Sequence, residues 1–242
     1  MTPTADPAQA RWNDYWTRYA AEYDEHQLCR LAHPEERETW SRVWTEVLPT
    51  GTSTILDAGT GSGNMALLLA GSGHTVTGID LATGMLEQAH TKCADHPDPP
   101  TFLVGDAVDP PFAPGSFDAI ISRYLLWTLR DASTALARWF ELLCPGGVLV
   151  AVDAPWFRGE GALPRGTERQ DHFASAYDAE AFERLTFGRA GTEQIIAEWE
   201  AAGFVDVRAD PLTEVLELDR ANGVAPGHSP QLQQRFSARR PD

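Results

Sequence analysis

The residues best suited to chemistry in this chain are three aspartates and a run of glycines. The stretch ILDAGTGSGN (Ile55 to Asn64) places Asp57 two residues before Gly59, with Gly61 and Gly63 at the next alternate positions. Glycines permit tight turning and a close approach of backbone to a ligand. Two more acids end apolar runs downstream: Asp80 in TVTGID and Asp106 in FLVGDA. A carboxylate at such a strand end can accept two O–H bonds at once. The constellation therefore describes a nucleotide-type site with unusually acidic surroundings.

The glycine spacing narrows the nucleotide. A P-loop needs a lysine after its last glycine, and none follows here. The dinucleotide fingerprint GxGxxG would put its third glycine at position 64, which is Asn64. Asp57 also aims negative charge into the loop, which is awkward for a pyrophosphate but suited to a cation. S-adenosylmethionine has a sulfonium and an α-ammonium, and no phosphate. An NAD(P)-dependent oxidoreductase remains the rival enzyme reading, and a module that binds S-adenosylmethionine without transferring methyl is a third.

ILDAGTGSG resembles the first motif of class I S-adenosylmethionine-dependent methyltransferases, D/E-x-G-x-G-x-G. Four further stretches are similar to that family in order: TVTGIDLATGML, VGDA, SFDAIISRYLLWTL and LLCPGGVLVAVD. The resemblance covers residues 50–153 well and 192–219 weakly. It implies that Asp57, Gly59, Gly61 and Gly63 build the cofactor loop and that Asp80 bonds both ribose hydroxyls. It further implies that Asp106 takes the adenine amino group, with the Ala107 amide near the ring. Leu81 and Met85 either flank adenine or pack in the core. The segment around Ser122 lines the methionine side. Tyr23, in the pair Tyr23-Asp24, resembles a tyrosine of the family that lies near the cofactor.

The elements that must position these residues follow from periodicity. RWNDYWTRYAAEYDEHQ sets Trp12, Tyr15, Trp16, Tyr19 and Tyr23 on one helical face. A second helix begins at Pro34, with Trp40, Val43, Trp44 and Val47 inward. Strands then alternate with helices through STILDAG, HTVTGID, TFLVGDA, SFDAIISRY and VLVAVDA, with Asp131 or Ser133 capping the helix between the last two. This rhythm predicts an α/β, Rossmann-like, doubly wound and mostly parallel sheet. Seven strands with an antiparallel last one are expected from the resemblance. The rhythm breaks from Pro155 to about Gly191, where Trp156, Phe157, His172, Phe173 and Tyr177 fall in a segment too long for an ordinary loop. TEQIIAEWEAAGF reads as a helix, and VDVRADPL with TEVLELD as a closing strand pair. The expected organisation is a helical lid over 1–48, a core over 49–220 with an inserted lid at about 155–190, and a loose tail over 221–242. Residues 1–10 are expected to be mobile.

Methyl transfer needs positioning above all, so a general base is optional. The candidates are His26, Asp153 and His172. Trp127 is either a substrate wall or core. No cluster of acids and histidines suggests a metal. Cys29, Cys93 and Cys144 show no ligand or redox spacing and read as buried or incidental thiols.

Composition sets the remaining expectations. The chain has 242 residues, 43% of them apolar, and a formal charge of −16 from 35 acids against 19 bases. Such a chain is a poor ligand for nucleic acid or an anionic membrane. Lys92 is the sole lysine, and with the abundant Ala, Gly and Pro this fits high-GC coding. MTPTADPAQARWND lacks a basic stretch followed by an apolar one, so the cytoplasm is the default location. The expected partner is a small apolar or aromatic acceptor, in keeping with secondary metabolism, on a monomer or homodimer.

Overall fold

The apolar runs that follow turn signals become strands because both their faces are covered. The structure, a computed structural model, describes residues 6–94, 96–156, 165–224 and 229–242. The strands are β1 (Thr54–Ala58), β2 (Thr75–Asp80), β3 (Thr101–Val104), β4 (Phe117–Arg123), β5 (Leu143–Asp153), β6 (Val205–Pro211) and β7 (Gln234–Arg239). They form one sheet in the order β3-β2-β1-β4-β5-β7-β6. The first five are parallel, and β7 runs antiparallel to both β5 and β6. The order reverses between β1 and β4, which leaves a crevice at the carboxyl ends of those strands, where ligands of such sheets bind.

The helices are α1 (Pro7–Arg18), α2 (Ala20–Leu31), α3 (Pro34–Thr45), α4 (Asn64–Ala70), α5 (Thr83–Cys93) and α6 (Ala132–Leu142), then α7 (Glu168–Ala176), α8 (Ala179–Arg184), α9 (Thr186–Arg189), α10 (Thr192–Ala201) and α11 (Thr213–Asn222). Alternate strand residues divide the core into two layers. Leu56, Ile120, Leu149 and Phe236 pack with Leu136 and Trp139 of α6 and Trp199 of α10. Ile55, Ile121 and Val150 pack on the other face with Trp40 and Trp44 of α3, Leu69 of α4 and Leu86 of α5. A third cluster joins Trp12 and Tyr15 of α1 to Tyr177, Ala181 and Trp127, away from the sheet core.

Local chemistry explains several boundaries. Asp6 caps α1 by accepting from the Ala8 amide at 3.0 Å, and Pro7 occupies the first turn. Asp131 caps α6 through the Thr134 amide at 3.0 Å. Gly84 lets α1 settle on α5: a Cβ there would lie 2.4 Å from the Thr17 carbonyl oxygen. The sole lysine then latches α2 down. Lys92 Nζ donates to Asp24 and, at 2.9 Å, to Asn64 Oδ1, while Asn64 Nδ2 donates to Asp24 at 3.2 Å.

The structure corrects four expectations. Residues 7–10 are helical rather than mobile, because Asp6 and Pro7 start α1 there; residues 1–5 lie outside the described residues. The single aromatic helix is two, broken at Tyr19 (φ −101°, ψ 13°). TEVLELD is helix α11, not a strand: Val215 and Asp219, four residues apart, share its buried face. The supposed tail contains β7, whose Arg235, Phe236, Ser237 and Ala238 are all buried in the sheet. The core therefore extends to residue 239. Within the expected insert, α7, α8 and α9 are helical, while residues 157–164, including Phe157, lie outside the described residues, as do residues 225–228 of the tail.

Candidate functional site

The cavity opens at the carboxyl ends of β1 to β4. Its floor comes from the loop after β1. Gly59, Gly61 and Gly63 have φ of +67°, +55° and +78°, values that L side chains rarely adopt. A Cβ on Gly59 would lie 2.6 Å from Leu125 Cδ1, whereas one on Gly61 would meet only the Met85 sulfur at 4.0 Å. Gly59 and Gly61 line the cavity. Gly63 does not: it faces Phe102 and Ala89, where it lets α4 and α5 close on the sheet.

The acids differ in what they face. Asp57 is 2% exposed and lies behind the loop, accepting from Thr60 Oγ1 at 2.7 Å. Burial raises its pKa to about 7, opposed by that hydroxyl and by Arg123. Asp80 lines the cavity. Its Oδ2 accepts from the Gly61 amide at 2.9 Å and its Oδ1 from the Ala82 amide at 2.8 Å. Each oxygen keeps a lone pair for a further donor. Burial moves Asp80 above the usual carboxylate range, against those amide bonds. Asp106 also lines the cavity, but Arg130 forks onto both its oxygens, and the Val108 amide adds a bond at 2.9 Å. Roughly one of its four acceptor positions is left for an adenine amino group.

The rest of the predicted set divides. Tyr23, Leu81, Met85, Ala107 and His26 line the cavity. The Tyr23-Asp24 pair splits, Tyr23 facing the cavity and Asp24 turning to Lys92. Burial, then Arg30, lowers the His26 pKa below 6.5. Ser122 is fully buried and its Oγ has no hydrogen-bond partner among the described residues. Two catalytic candidates fall elsewhere. Asp153 lines a separate small cavity and accepts from the amides of Trp127 (3.2 Å) and Ala154 (2.8 Å) and from Trp156 Nε1 (2.6 Å). It ties the segments after β4 and β5 together instead of facing a substrate. His172 sits in the seam between α1 and α7, its ring 5.5 Å from Tyr15 and 5.6 Å from Tyr19, with Nε2 3.5 Å from Asp14. Helical periodicity could not tell which face of α7 would carry it.

Burial lifts the Asp153 pKa to about 7 against its three N–H donors. The folded state thus holds this proton more tightly than the unfolded one, and stability falls as pH rises from about 4 through about 7. Asp153→Asn should flatten that part of the melting-temperature profile, an effect on the order of 4 kcal/mol for a pKa raised by about three. An unchanged slope would show that other groups set it.

Sequence reasoning missed much of the wall. Gln27, Arg30, Arg123, Tyr124, Arg130, Arg169, Asp219 and Gln233 all line the cavity. Arg123 alone left a signal, as a charge ending the apolar run AIIS. The aromatic side consists of Tyr15, Trp16, Trp127, Phe173 and Tyr177, with Trp16 Nε1 donating to Tyr177 Oη at 2.8 Å. Trp127 is both wall and packing, its ring 5.1 Å from that of Tyr177. Among the described residues no three His, Cys, Asp or Glu side chains converge to hold a metal, and no helix is long and apolar enough to cross a membrane. Cys29 is exposed, and Cys93 and Cys144 are partly buried; all three are free thiols.

Comparison with known proteins agrees with this geometry. Residues 56–151 match the model of a methyltransferase domain. The demethylmenaquinone methyltransferase of Thermus thermophilus is 37% identical over 103 residues, 42% of this chain and 47% of that protein. The 2-phytyl-1,4-naphtoquinone methyltransferase of Thermosynechococcus vestitus is 34% identical over 150 residues, 56% of this chain and 64% of that one. The chain spans about half the length of the first curated relatives it matches. Among solved structures, a Haemonchus contortus phosphoethanolamine N-methyltransferase 2 complexed with S-adenosyl-L-methionine superposes with a TM-score of 0.61 at 21% identity, over 85% of this chain and 53% of that one. The ordered motifs and the match identify residues 56–151 as a methyltransferase domain of the class I, S-adenosylmethionine-dependent type, and the 3-2-1-4-5-7-6 sheet has the corresponding fold.

Proposed function

We propose that this chain moves a methyl group from S-adenosylmethionine to a small aromatic acceptor. The observation that carries the reading is one cavity running from Gly61 and Asp80 to the aromatic wall of Tyr15, Trp16, Trp127, Phe173 and Tyr177. The residues fit the cofactor. Gly61 leaves open space beside the loop, and Asp80 keeps acceptor capacity for two hydroxyls. When bound, the cofactor supplies a methyl carbon already activated by a sulfonium. Gly59, Gly61 and Asp80 would hold the adenosyl part, and the aromatic rings would stack a flat acceptor and exclude water. Tyr23 and Trp16, in edge contact at 5.8 Å, offer π faces to a cation.

Two relatives are named for quinones, which supports a flat acceptor carrying oxygen. The helices of α1, α2 and α7–α9 serve as the lid in this reading, and such an elaborate lid supports a secondary-metabolite acceptor. The test is transfer of labelled methyl from S-adenosylmethionine to a panel of aromatic phenols and hydroquinones. Labelled product with matching S-adenosylhomocysteine is expected. Tight cofactor binding without transfer across the panel would favour a binding module, and tight NADH binding without response to S-adenosylhomocysteine would restore the oxidoreductase.

His26 is the base of this reading where the acceptor must lose a proton. Its lowered pKa keeps it neutral at pH 7, so turnover should hold through neutral pH and fall as pH drops through a value below 6.5. His26→Ala should spare cofactor binding and reduce turnover by roughly 10²-fold. Equal turnover in a pH–rate comparison removes His26 from the mechanism.

A further inference from the structure

Among the described residues four arginines line the cavity, and three have a carboxylate of their own. Arg30 pairs with Glu36 and Asp219, Arg130 with Asp106, and Arg169 with Glu22. Arg123 pairs with no carboxylate among the described residues. Its Nη2 donates to Gln27 Oε1 at 2.7 Å, and its guanidinium lies 4.8 Å from the Trp40 ring centre and 4.9 Å from that of Tyr124. An amide oxygen, the Tyr23 hydroxyl and two π faces hold the group in place, and the buried Asp57 feels its charge, but no carboxylate among the described residues forms an ion pair with it in this partly buried site. Unpaired charge is costly there. In a chain of formal charge −16 it is no by-product of a basic surface.

The backbone supplies a second, independent observation. Tyr124 has φ +60°, a left-handed conformation unusual for an aromatic residue. In a regular strand the side chains of Arg123 and Tyr124 would point to opposite faces. The left-handed residue brings both onto the cavity wall. Two bonds hold it: the Tyr124 amide donates to Val152 O at 2.8 Å, and its hydroxyl donates to Gln233 Oε1 at 2.9 Å. Backbone strain of this kind persists where surrounding structure enforces it, and it gathers at functional sites.

We infer that Arg123, braced by Gln27 and Tyr124, is a binding subsite for a carboxylate. A guanidinium fork matches the two oxygens of that group. The inference rests on the methyltransferase reading for its two sources of carboxylate: the amino-acid end of the cofactor, or an acid group on the acceptor. The position two residues beyond the β1–β4 pairing of Asp57 with Ile121 sets Arg123 where either could reach it.

Two ligand pairs separate these sources in the wild-type chain by calorimetry. One is S-adenosylhomocysteine against its decarboxylated analogue. The other is 2-naphthoate against 2-naphthamide, titrated with and without S-adenosylhomocysteine. The carboxylate-bearing member of one pair should bind at least about tenfold tighter, and Arg123→Met should erase that preference. Discrimination in the first pair assigns the cofactor, and in the second the acceptor. Arg123→Lys keeps the charge without the fork, should cut the preference severalfold, and serves if the methionine variant does not fold. Equal affinities within both pairs, or a preference that survives Arg123→Met, overturns the subsite. If the wild type binds no adenosyl ligand, the methyltransferase reading fails, and the naphthoate pair still decides Arg123.

Discussion

Replacing Asp80 by alanine is expected to weaken S-adenosylhomocysteine binding by at least about 100-fold, roughly 3 kcal/mol. Two losses combine. In the proposed site the ribose would lose a bidentate acceptor, and each unpaired hydroxyl would cost about 1–3 kcal/mol. The loop loses its tie as well, because Asp80 Oδ2 accepts from the Gly61 amide at 2.9 Å. Asp80→Asn should fall between, since one carbonyl oxygen still accepts while the amide group faces an N–H. Burial raises the Asp80 pKa, and only the ionised form accepts on both oxygens. Affinity should therefore be full above that pKa and decline as pH falls through it. Calorimetric titration of both variants, with a thermal melt to show the fold intact, checks this. Unchanged affinity would leave Asp80 as a strand-end cap and nothing more.

The second large effect is on stability. Arg30→Met should destabilise the chain by about 3–5 kcal/mol. Glu36 is fully buried on α3, and Asp219 is buried on α11. Arg30, on α2, donates to Glu36 and lies 2.9 Å from Asp219 Oδ1, and its Nη1 also reaches Gly223 O at 2.6 Å. Removing the cation leaves two buried acids facing each other. Asn222 Nδ2, at 3.0 Å from Glu36, and Gln233 Nε2, at 3.1 Å from Asp219, are neutral donors that compensate little. At about 2–4 °C per kcal/mol for a chain of this size, the melting temperature should drop by roughly 6–20 °C. Arg30→Met with Glu36→Gln should recover part of that loss, because the most buried charge goes with its partner. A melt within 2 °C of wild type, on the scale of about 0.5–1 kcal/mol, would show that α2 is held by other contacts.

These two residues also mark how far the sequence could be read. Asp80 was legible because its setting is local: an apolar run ends in an acid, and a strand end aims it at the crevice. Gly59 and Gly61 were legible for the same reason, through a turn that other residues adopt poorly; Asp57 stands at a strand end too, but it is buried behind the loop and does not line the cavity. Arg30 and Asp219 were not, being 189 positions apart and joined only when α2 meets α11. TEVLELD alternates like a strand, but its inward face is chosen by the partners of Asp219. QRFSAR looked like tail because Arg235 reads as exposed; in the sheet its guanidinium is held by the Val43 carbonyl at 3.0 Å, Glu46 at 2.8 Å and Asp210 at 2.9 Å. Asp153 and His172 were placed near the acceptor by order along the chain. One ties two loops and the other packs in a seam.

By itself, then, the sequence determined the glycine loop, the strand-end acids and the parallel rhythm that puts them at one edge. These depend on backbone conformation and on neighbours within a few residues, which the amino-acid order states directly. The tertiary structure decided which acids face the cavity, which arginines have an ion pair, and that Arg123 has none among the described residues. Those are outcomes of partners far apart in sequence. The energy of a buried charge depends on what lies within a few ångströms of it, a distance that only the folded chain defines.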